Sequence, residues 1–595
     1  MINYTIPKRD MMFVLFELLD YEQHLQSLSG PEALTRDVVE AIVDECGKFC
    51  ENVIAPLNSS GDKEGCHWQD GVVTTPKGFK EAYQQYVAGG WPSMTHPVEY
   101  GGQGLPVSME TLVSDMVGAA NWAWGMYPGL SHGAMHTLSL HGTDEQKATY
   151  LTKLVAGEWT GTMCLTESHC GTDLGMLRTK AEPQADGSYR ISGSKIFISA
   201  GEHDLTENIV HIVLARIPGA PEGTKGISLF IVPKFLPDAA GAVGLRNAVS
   251  CASIEHKMGI HANATCVLNF DGATGFLIGE PNRGLHYMFT FMNNARLGTA
   301  VQGLSHAQLG FQKSLSYAKE RLQSRSLSGV KNPAGPADPI IVHPDVRRML
   351  LTQKAMAEGG RMLAYSTALL VDKDAFASDE DQRKEASELL ALLTPIAKAF
   401  MTETGFECAS LALQCFGGHG YIQEWGVEQN LRDSRIAMLY EGTTGIQALD
   451  LLGRKILMTQ GESLKRFTKI IHKYCKSQEG NDQMAEFIEP LAAKNKEWGE
   501  LTLQIGMKAM SNPDEVGAAA VDYLMYSGLV TFAYWWARAA EIALNKQDEP
   551  FYAAKLTTAR FFYQRLLPRT LAHAAAMKTG VDGLLALDAE HFSFD

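Results

Sequence analysis

The sequence predicts an α+β protein in which helical regions flank a β-rich middle and a further helical region follows. Three observations carry this. The chain has 595 residues, several times what one hydrophobic core needs, so about three or four domains are expected. Apolar residues recur at helical spacing on both sides of residues 160–278, whereas that segment is cut into short β-type runs by Gly, Pro, Asn and Asp. Hydrophobic residues make up 45% and charged residues 20%, the balance of a soluble protein that packs an interior.

The elements follow in order. The N-terminal run MINYTIPKRDMMFVLFELLDYEQHL has no long apolar stretch and is broken by acids, so it is not expected to be a signal peptide. An amphipathic helix is expected over 35–57, with Val38, Val39, Ile42, Val43, Cys46 and Phe49 on its apolar stripe and Pro56 as its stop. Further helical stretches reach about Glu158, punctuated by the loop Glu99-Tyr100-Gly101-Gly102-Gln103-Gly104. The β-type runs are YRISGSKIFIS, IVHIVLARI, GISLFIVPKF and TCVLNF, lengths that suit a small barrel or sandwich. Helical periodicity returns at Leu285 and persists to about Met458, with one Gly-, Pro- and Ser-rich loop at 326–339 and one helix read over 304–321. After the Gln460-Gly461 break, a last helical block runs from Leu464 to about Leu587. Its longest apolar stretch, 523–537, is shorter than the ~20 residues a membrane span needs and reads as a buried aromatic helix.

Charge and cysteines exclude some classes. A net charge of −15 disfavours non-specific binding to nucleic acid or anionic lipid, and no stable membrane insertion is expected. Ten cysteines spread without a Cys-x-x-Cys pair are the pattern of reduced thiols in a cytoplasmic enzyme, and Cys46 and Cys50 read as small core residues. The last residues, Ser593-Phe594-Asp595, match no peroxisomal address. No solenoid repeat and no Gly-x-Gly-x-x-Gly between a strand and a helix are present.

Five segments can carry chemistry. MLYEGTTGIQ, 438–447, puts Glu441 on a short connection before a helix, where a carboxylate can face a cavity and remove a proton; most glutamates are solvated surface groups. In Met163-Cys164-Leu165-Thr166-Glu167-Ser168-His169-Cys170-Gly171-Thr172-Asp173, hydroxyls and free N–H groups suit a polar cofactor edge and a phosphate, or form an ordinary polar loop. In Lys195-Ile196-Phe197-Ile198-Ser199-Ala200-Gly201, Phe197 can stack on a flat ring and Ser199 can bond its edge, or the run is a plain strand. The glycines of Gln414-Cys415-Phe416-Gly417-Gly418-His419-Gly420-Tyr421 bring backbone close to a ligand or make a tight turn. Arg321, Gln323 and Arg325 end a helix, where they can grip a pyrophosphate or simply favour the helix C-terminus. His132, His136 and His141 have the look of a metal cluster, but no HExxH or nearby carboxylate triad completes it, so no metal is expected. The 24 methionines read as core filling.

Taken in this order, the EYGGQG loop, the CLTE…GTD loop, the KIFISAG strand, the QCFGGHGY turn and the LYEGTTGIQ segment resemble the acyl-CoA dehydrogenase family of flavoproteins, over about 70% of the chain. The N-terminal DMMFVLFELLDYEQHL and the long C-terminal block resemble its 3-methylmercaptopropionyl-CoA dehydrogenase-like branch. The resemblance implies an N-terminal extension (1–32), an N-terminal helical domain (33–160), a β-barrel-like middle domain (161–282), a C-terminal four-helix bundle (283–458) and an extra helical domain (459–595). It implies FAD, α,β-dehydrogenation of an acyl-CoA in the manner of fatty acid β-oxidation, an electron-transferring flavoprotein as electron acceptor, and here a homodimer. It places Met163, Leu165, Thr166, Gly171, Thr172, Phe197, Ser199, Thr443 and Gly445 at FAD, and Arg321, Gln323, Gln414 and Gly418 at the FAD of a neighbouring subunit. Thr172, Arg296, Tyr440 and Gly442 are placed at the acyl-CoA and Glu441 as the catalytic base. Departures from the family pattern are Ser168-His169-Cys170 in place of a Pro- and Gly-rich segment, Phe197 for Trp, His419 for Asn and His343-Pro344 for a Gln region. Some relatives carry the base just before the equivalent of Arg296; here that position is Ala295, which cannot ionise. An acyl-CoA oxidase, which passes electrons to oxygen, and a short methylthio-acyl substrate remain open alternatives; a flavin-containing DNA-binding relative would need a basic C-terminal region, which this acidic chain lacks.

Overall fold

The computed structural model describes residues 4–30 and 34–594, so the expected boundary at 32/33 and the last residue of the C-terminal tripeptide lie outside the described residues. Arg36–Phe49 forms the expected first domain helix, but Pro56 does not end it. The chain passes through a π turn, Cys50–Ile54, into a second helix, Pro56–Glu64, whose first position suits a proline because it has no N–H to satisfy. Val38, assigned to the apolar stripe, lies 44% exposed; Val39, Val43 and Cys46 are buried. The helices Ser108–Ala120 and Trp122–His141 complete the region that packs on the bundle, the second capped by Asn121, whose Oδ1 accepts from the Trp124 N–H at 3.1 Å.

Seven strands form one sheet in the middle of the chain: Trp159–Cys164, Lys180–Pro183, Tyr189–Ser199, Asn208–Arg216, Ile227–Pro233, Val249–Ile254 and Thr265–Ile278. The sheet closes on itself. Thr265–Ile278 pairs with Tyr189–Ser199 through its first part and with Ile227–Pro233 through its last residues, and Asn208–Arg216 joins the remaining members. Asn208–Arg216 and Ile227–Pro233 are buried almost throughout, which is why both read as continuous apolar runs rather than as alternation. The short strands Lys180–Pro183 and Val249–Ile254, with few buried side chains, carry no such run and are not evident in the sequence.

Three long helices, Gly284–Glu320, Pro344–Phe376 and Glu380–Phe416, pack side by side, and Thr444–Leu449 with its π continuation Asp450–Leu457 takes the fourth position. The helix expected over 304–321 is thus the second half of a longer one. The extension holds Glu462–Ser477, Ala485–Ala509, Asp514–Leu544, Pro550–Phe561 and Thr570–Thr579. It begins after Gln460 and Gly461, both left-handed, as the sequence break implied. Asp514–Leu544 is twice the length of its apolar stretch and is long and apolar enough to cross a membrane by length and composition, yet 67% of its apolar window is buried within the protein. It lies against the bundle, with Phe532 edge-on to Phe400 at 4.9 Å and Trp536 Nε1 donating to the Ala355 carbonyl at 3.3 Å. One hydrophobic core joins the N-terminal segment, the first helical region, the bundle and the extension; the barrel has cores of its own.

Candidate active site

The helix Val427–Arg435 runs into a 3-10 turn, Ile436–Met438, and the chain then reverses before Thr444–Leu449. Glu441 sits in the reversal at φ +55°, a left-handed conformation that costs a non-glycine residue about 1–3 kcal/mol. Gly442 follows at φ +86°, and a Cβ there would lie 2.3 Å from Gln447 Nε2. Thr443 caps the next helix, its Oγ1 accepting from the Ile446 N–H at 3.2 Å, and Gly445 lies half-buried in that helix's first turn. The reversal is held by its carbonyls. Gln447 Nε2 donates to Glu441 O at 3.1 Å; Lys398 Nζ donates to Gly442 O at 2.6 Å and to Ala437 O at 2.8 Å. By contrast, neither the Glu441 N–H nor its carboxylate has a hydrogen-bond partner among the described residues. Burial pushes this half-buried carboxyl up to about 7, against the pull of Lys398 and Arg296.

Arg296 reaches the same place from Gly284–Glu320. Its side chain is largely buried, Nη1 lies 3.7 Å from Asp450 Oδ2, and its buried Nε has no partner among the described residues. Tyr440 OH donates to Gln302 Oε1 at 2.5 Å, so the ring rather than the hydroxyl is left for a substrate. Ala295 offers only its carbonyl, which accepts from Thr299 Oγ1 at 2.8 Å.

A second group forms at the barrel edge. Met163 is half-buried at the end of Trp159–Cys164, Leu165 is buried, and Thr166 O accepts from the Ile196 N–H at 2.9 Å, which lays the 164–173 loop beside Tyr189–Ser199. Gly171 and Thr172 are exposed, and the N–H groups of Thr166, Gly171 and Thr172 have no protein acceptor among the described residues. Phe197 is 60% exposed at φ +58°, where the register against Thr265–Ile278 shifts, and half-buried Ser199 follows. Left-handed backbone at Phe197 and Ala200 brackets Ser199. An open aromatic face beside unused N–H and hydroxyl donors fits FAD: a ring for the flavin and donors for its polar edge and phosphates. The barrel docks on the helix that leads into Glu441, where the Ile260 N–H donates to Asp433 Oδ1 at 2.5 Å.

The structure does not bring Arg321, Gln323, Gln414 and Gly418 to either group. All four are exposed at the other end of the bundle, where the Ile340 N–H donates to Arg321 O and the Gln323 N–H to Asp338 O. From Arg296 to Arg321 the helix rises roughly 37 Å at about 1.5 Å per residue. His419, one residue beyond Gly418, bonds Tyr317 OH at 2.9 Å and stacks on Trp425.

The histidines sort differently from their spacing. His141 Nε2 pairs with Thr290 Oγ1 at 2.8 Å, while His132 and His136 gather with His96 around Glu110. Glu167, His169 and Cys170 have donor atoms within 4.8 Å of one another, but the Glu167 carboxylate is already engaged by Lys195 and Thr179. The sequence reading missed Lys398, Gln447, Gln302 and the Glu167–Lys195 pair. A signal existed for Lys398: it is the single charge within the apolar run 389–401.

Comparison with known proteins gives a consistent picture. Models of the acyl-CoA dehydrogenase N-terminal, middle and C-terminal domains match residues 37–158, 162–273 and 282–457, and one described as acetyl-CoA dehydrogenase C-terminal like matches 467–588. A 3-methylmercaptopropionyl-CoA dehydrogenase of Ruegeria pomeroyi is 44% identical over 98% of this chain and 99% of its own. A broad-specificity linear acyl-CoA dehydrogenase of Mycobacterium tuberculosis is 33% identical over 100% of both chains. An acyl-CoA dehydrogenase of Bacillus anthracis, solved in complex with FAD, has the same fold, with a TM-score of 0.74 at 22% identity over 93% of this chain and 90% of that one.

Proposed function

The chain belongs to the acyl-CoA dehydrogenase family, and from that premise we propose that Glu441 removes the α-proton of an acyl-CoA thioester on the way to the trans-2-enoyl-CoA. The observation that carries this reading is the unpartnered Glu441 carboxyl, held near neutrality on a turn fixed by Gln447 and Lys398. A free glutamate, with a pKa of about 4.3, is a weak base for a C–H bond; burial strengthens it. FAD is the family's cofactor, and when bound it supplies the acceptor for the hydride that leaves the β-carbon. Met163, Leu165, Thr166, Gly171, Thr172, Phe197 and Ser199 would hold it, and the free N–H groups and exposed ring are what support that assignment.

A base alone is not sufficient. A turnover near ~10 per second needs a barrier of about 16 kcal/mol, and a positioned general base contributes only ~10²–10⁴-fold. The thioester oxygen must be stabilised as charge builds on it, and one aimed donor contributes about 3–4 kcal/mol. The free Glu441 N–H, aimed by the left-handed turn, is our candidate donor, and Arg296 with its unused Nε is our candidate for orienting the acyl-CoA.

We read the substrate as a straight-chain acyl-CoA, in keeping with the Mycobacterium tuberculosis relative, and the electron acceptor as an electron-transferring flavoprotein. A second reading, 3-methylmercaptopropionyl-CoA, is favoured by the 44% identity to the Ruegeria pomeroyi protein. The exposure of Arg321, Gln323, Gln414 and Gly418, at the other end of the bundle from Arg296, supports a homodimer in which they reach the partner's FAD. Ten free cysteines support residence in the reducing cytoplasm, and the burial of Asp514–Leu544 against the bundle supports a protein without stable membrane insertion. The test is Glu441→Gln. The variant is expected to keep FAD and lose substrate-driven flavin bleaching by about 10²–10⁴-fold across a panel of short to long and methylthio acyl-CoAs. Bleaching at the native rate would sink the assignment.

A further inference from the structure

The strongest unassigned group near the site is Lys398, a fully buried ammonium in the middle of Glu380–Phe416. Burying a charge is costly unless it is hydrogen-bonded and paired, and neutral residues of similar shape are the cheaper choice for filling a core. Its bonds show what it is kept for. Lys398 Nζ donates to Ala437 O and to Gly442 O, carbonyls on either side of Glu441 in the chain. One side chain therefore closes the whole reversal that carries the carboxylate, and it does so with a cation.

We propose that Lys398 is the positioning residue of the Glu441 base: it fixes the left-handed turn that aims the Glu441 carboxylate and N–H, and its charge holds the carboxylate ionised within the working pH range. This rests on the reading of Glu441 as the base. The other charged and titratable groups around the turn leave room for that role. Arg296, from Gly284–Glu320, lies beside Asp450, which also meets Arg454. Glu403, further along the helix of Lys398, is engaged by Thr444 Oγ1 at 2.6 Å. Tyr440 OH is bonded to Gln302, and burial holds it neutral. Lys398 is the foremost cation acting on Glu441, and Glu441 in turn is the foremost group opposing the effect of burial on Lys398.

Removing the charge lets burial raise the Glu441 carboxyl further, so the base stays protonated to higher pH. Removing the bonds frees the turn. The test uses the FAD-loaded enzyme with Lys398→Met, Lys398→Gln and Lys398→Arg. In the Met variant the acid limb of kcat/KM is expected to move up by about one pH unit. The infrared titration of the Glu441 carboxyl, identified by its absence in Glu441→Gln, is expected to move with it. The plateau kcat is expected to fall at least about tenfold because the base is no longer aimed. The Gln variant, a neutral donor, keeps the shifted limb but recovers part of the plateau; the Arg variant returns the limb to its native position. If the Met variant does not fold, the Gln and Arg pair reads the same charge effect. An unshifted limb in the Met or Gln variant, or an equal shift in the Arg variant, overturns the proposal. Turnover retained in Glu441→Gln removes the base itself, and this role with it; an inactive Glu441→Gln beside unshifted Lys398 limbs removes Lys398 alone.

Discussion

Glu441 joins two features that oppose stability: a left-handed backbone on a side chain that does not favour it, and a carboxyl kept short of full ionisation. The backbone persists because Gln447 and Lys398 over-determine the turn, and the raised carboxyl persists because burial outweighs the pull of Lys398 and Arg296. The titration has a direct consequence. The base acts as carboxylate, so the rate requires deprotonation, and the burial-raised value of about 7 sets where that happens. In the native enzyme kcat/KM is expected to be level above about pH 7 and to fall about tenfold per unit below it, read from a profile between pH 5 and 9. A limb near the ordinary glutamate value would show that burial in the free enzyme does not raise this carboxyl. Glu441 was legible in the sequence because its chemistry sits in one short segment with Gly442 and the threonines. Lys398 was not, because its partners lie 39 and 44 residues away in the chain and meet it only after the bundle closes. Thr443 was read as a cofactor contact and is first of all a helix cap, a role that leaves the same Ser/Thr signature in sequence.

At the level of elements, the barrel edge depends on one buried pair. Glu167 accepts from the Arg178 N–H at 2.7 Å, the Thr179 N–H at 3.0 Å and Lys195 Nζ at 2.9 Å, and so ties the 164–173 loop to the strand that carries Phe197. Burial would raise the Glu167 carboxyl, but Lys195 and these donors bring it down to about 2. A depressed carboxylate contributes stability that is complete above its ordinary value of 4.5 and is lost as pH falls through about 2. Glu167→Gln removes that contribution at neutral pH and leaves Lys195 buried without its counter-charge, so a loss of about 3–5 kcal/mol is expected in denaturant unfolding, with earlier release of FAD on heating. An unchanged unfolding midpoint would mean that the pair does not hold the loop. The strands themselves were legible where they are long: Tyr189–Ser199 is an 11-residue β-type run, although its buried positions Ile191, Lys195 and Ile198 do not alternate strictly, and Asn208–Arg216 and Ile227–Pro233 are continuous apolar runs. Lys180–Pro183 and Val249–Ile254 were not, because a short strand stabilised mainly by ladder hydrogen bonds leaves little mark on side-chain pattern. Pro56 misled for a related reason, since a proline that stops one helix is equally the preferred first residue of the next.

Across the whole molecule, a buried charge network spans parts of the chain that are far apart in sequence. Asp10 from the N-terminal segment, Asp115 from Ser108–Ala120, Glu358 and Arg361 from Pro344–Phe376 and Lys555 from the extension all meet in it. Arg361 Nε lies 2.8 Å from Asp115 Oδ2, and Lys555 Nζ lies 2.6 Å from Glu358 Oε2 and also bonds Asp10. The carboxylates outnumber neither the cations nor the bonds available to them, because Lys354 also pairs with Glu358. Burial alone would push the Asp10 carboxyl up; Lys555 and Arg361 hold it below its usual value. The network therefore makes the extension and the N-terminal segment mutually dependent: Lys555 is the contribution of one, Asp10 of the other. Lys555→Met keeps an unbranched apolar side chain at the site but removes the ammonium that lies over the Phe13, Trp536 and Phe551 rings and leaves two buried carboxylates short of a partner. Breaking a buried pair from one side costs about 3–5 kcal/mol, and the strain falls first on the element with least other burial. The N-terminal segment is that element, since it is short, its helical turns running only over Lys8–Met12, Phe13–Leu18 and Tyr21–Gln26. Hydrogen exchange is expected to rise across residues 8–18 in Lys555→Met before the bundle helices lose protection, with a smaller rise when Asp10→Asn is added, because the orphaned charge is then gone. Equal protection of residues 8–18 in the native and Lys555→Met proteins would show that apolar packing of Met11, Phe13 and Leu15 alone anchors the segment.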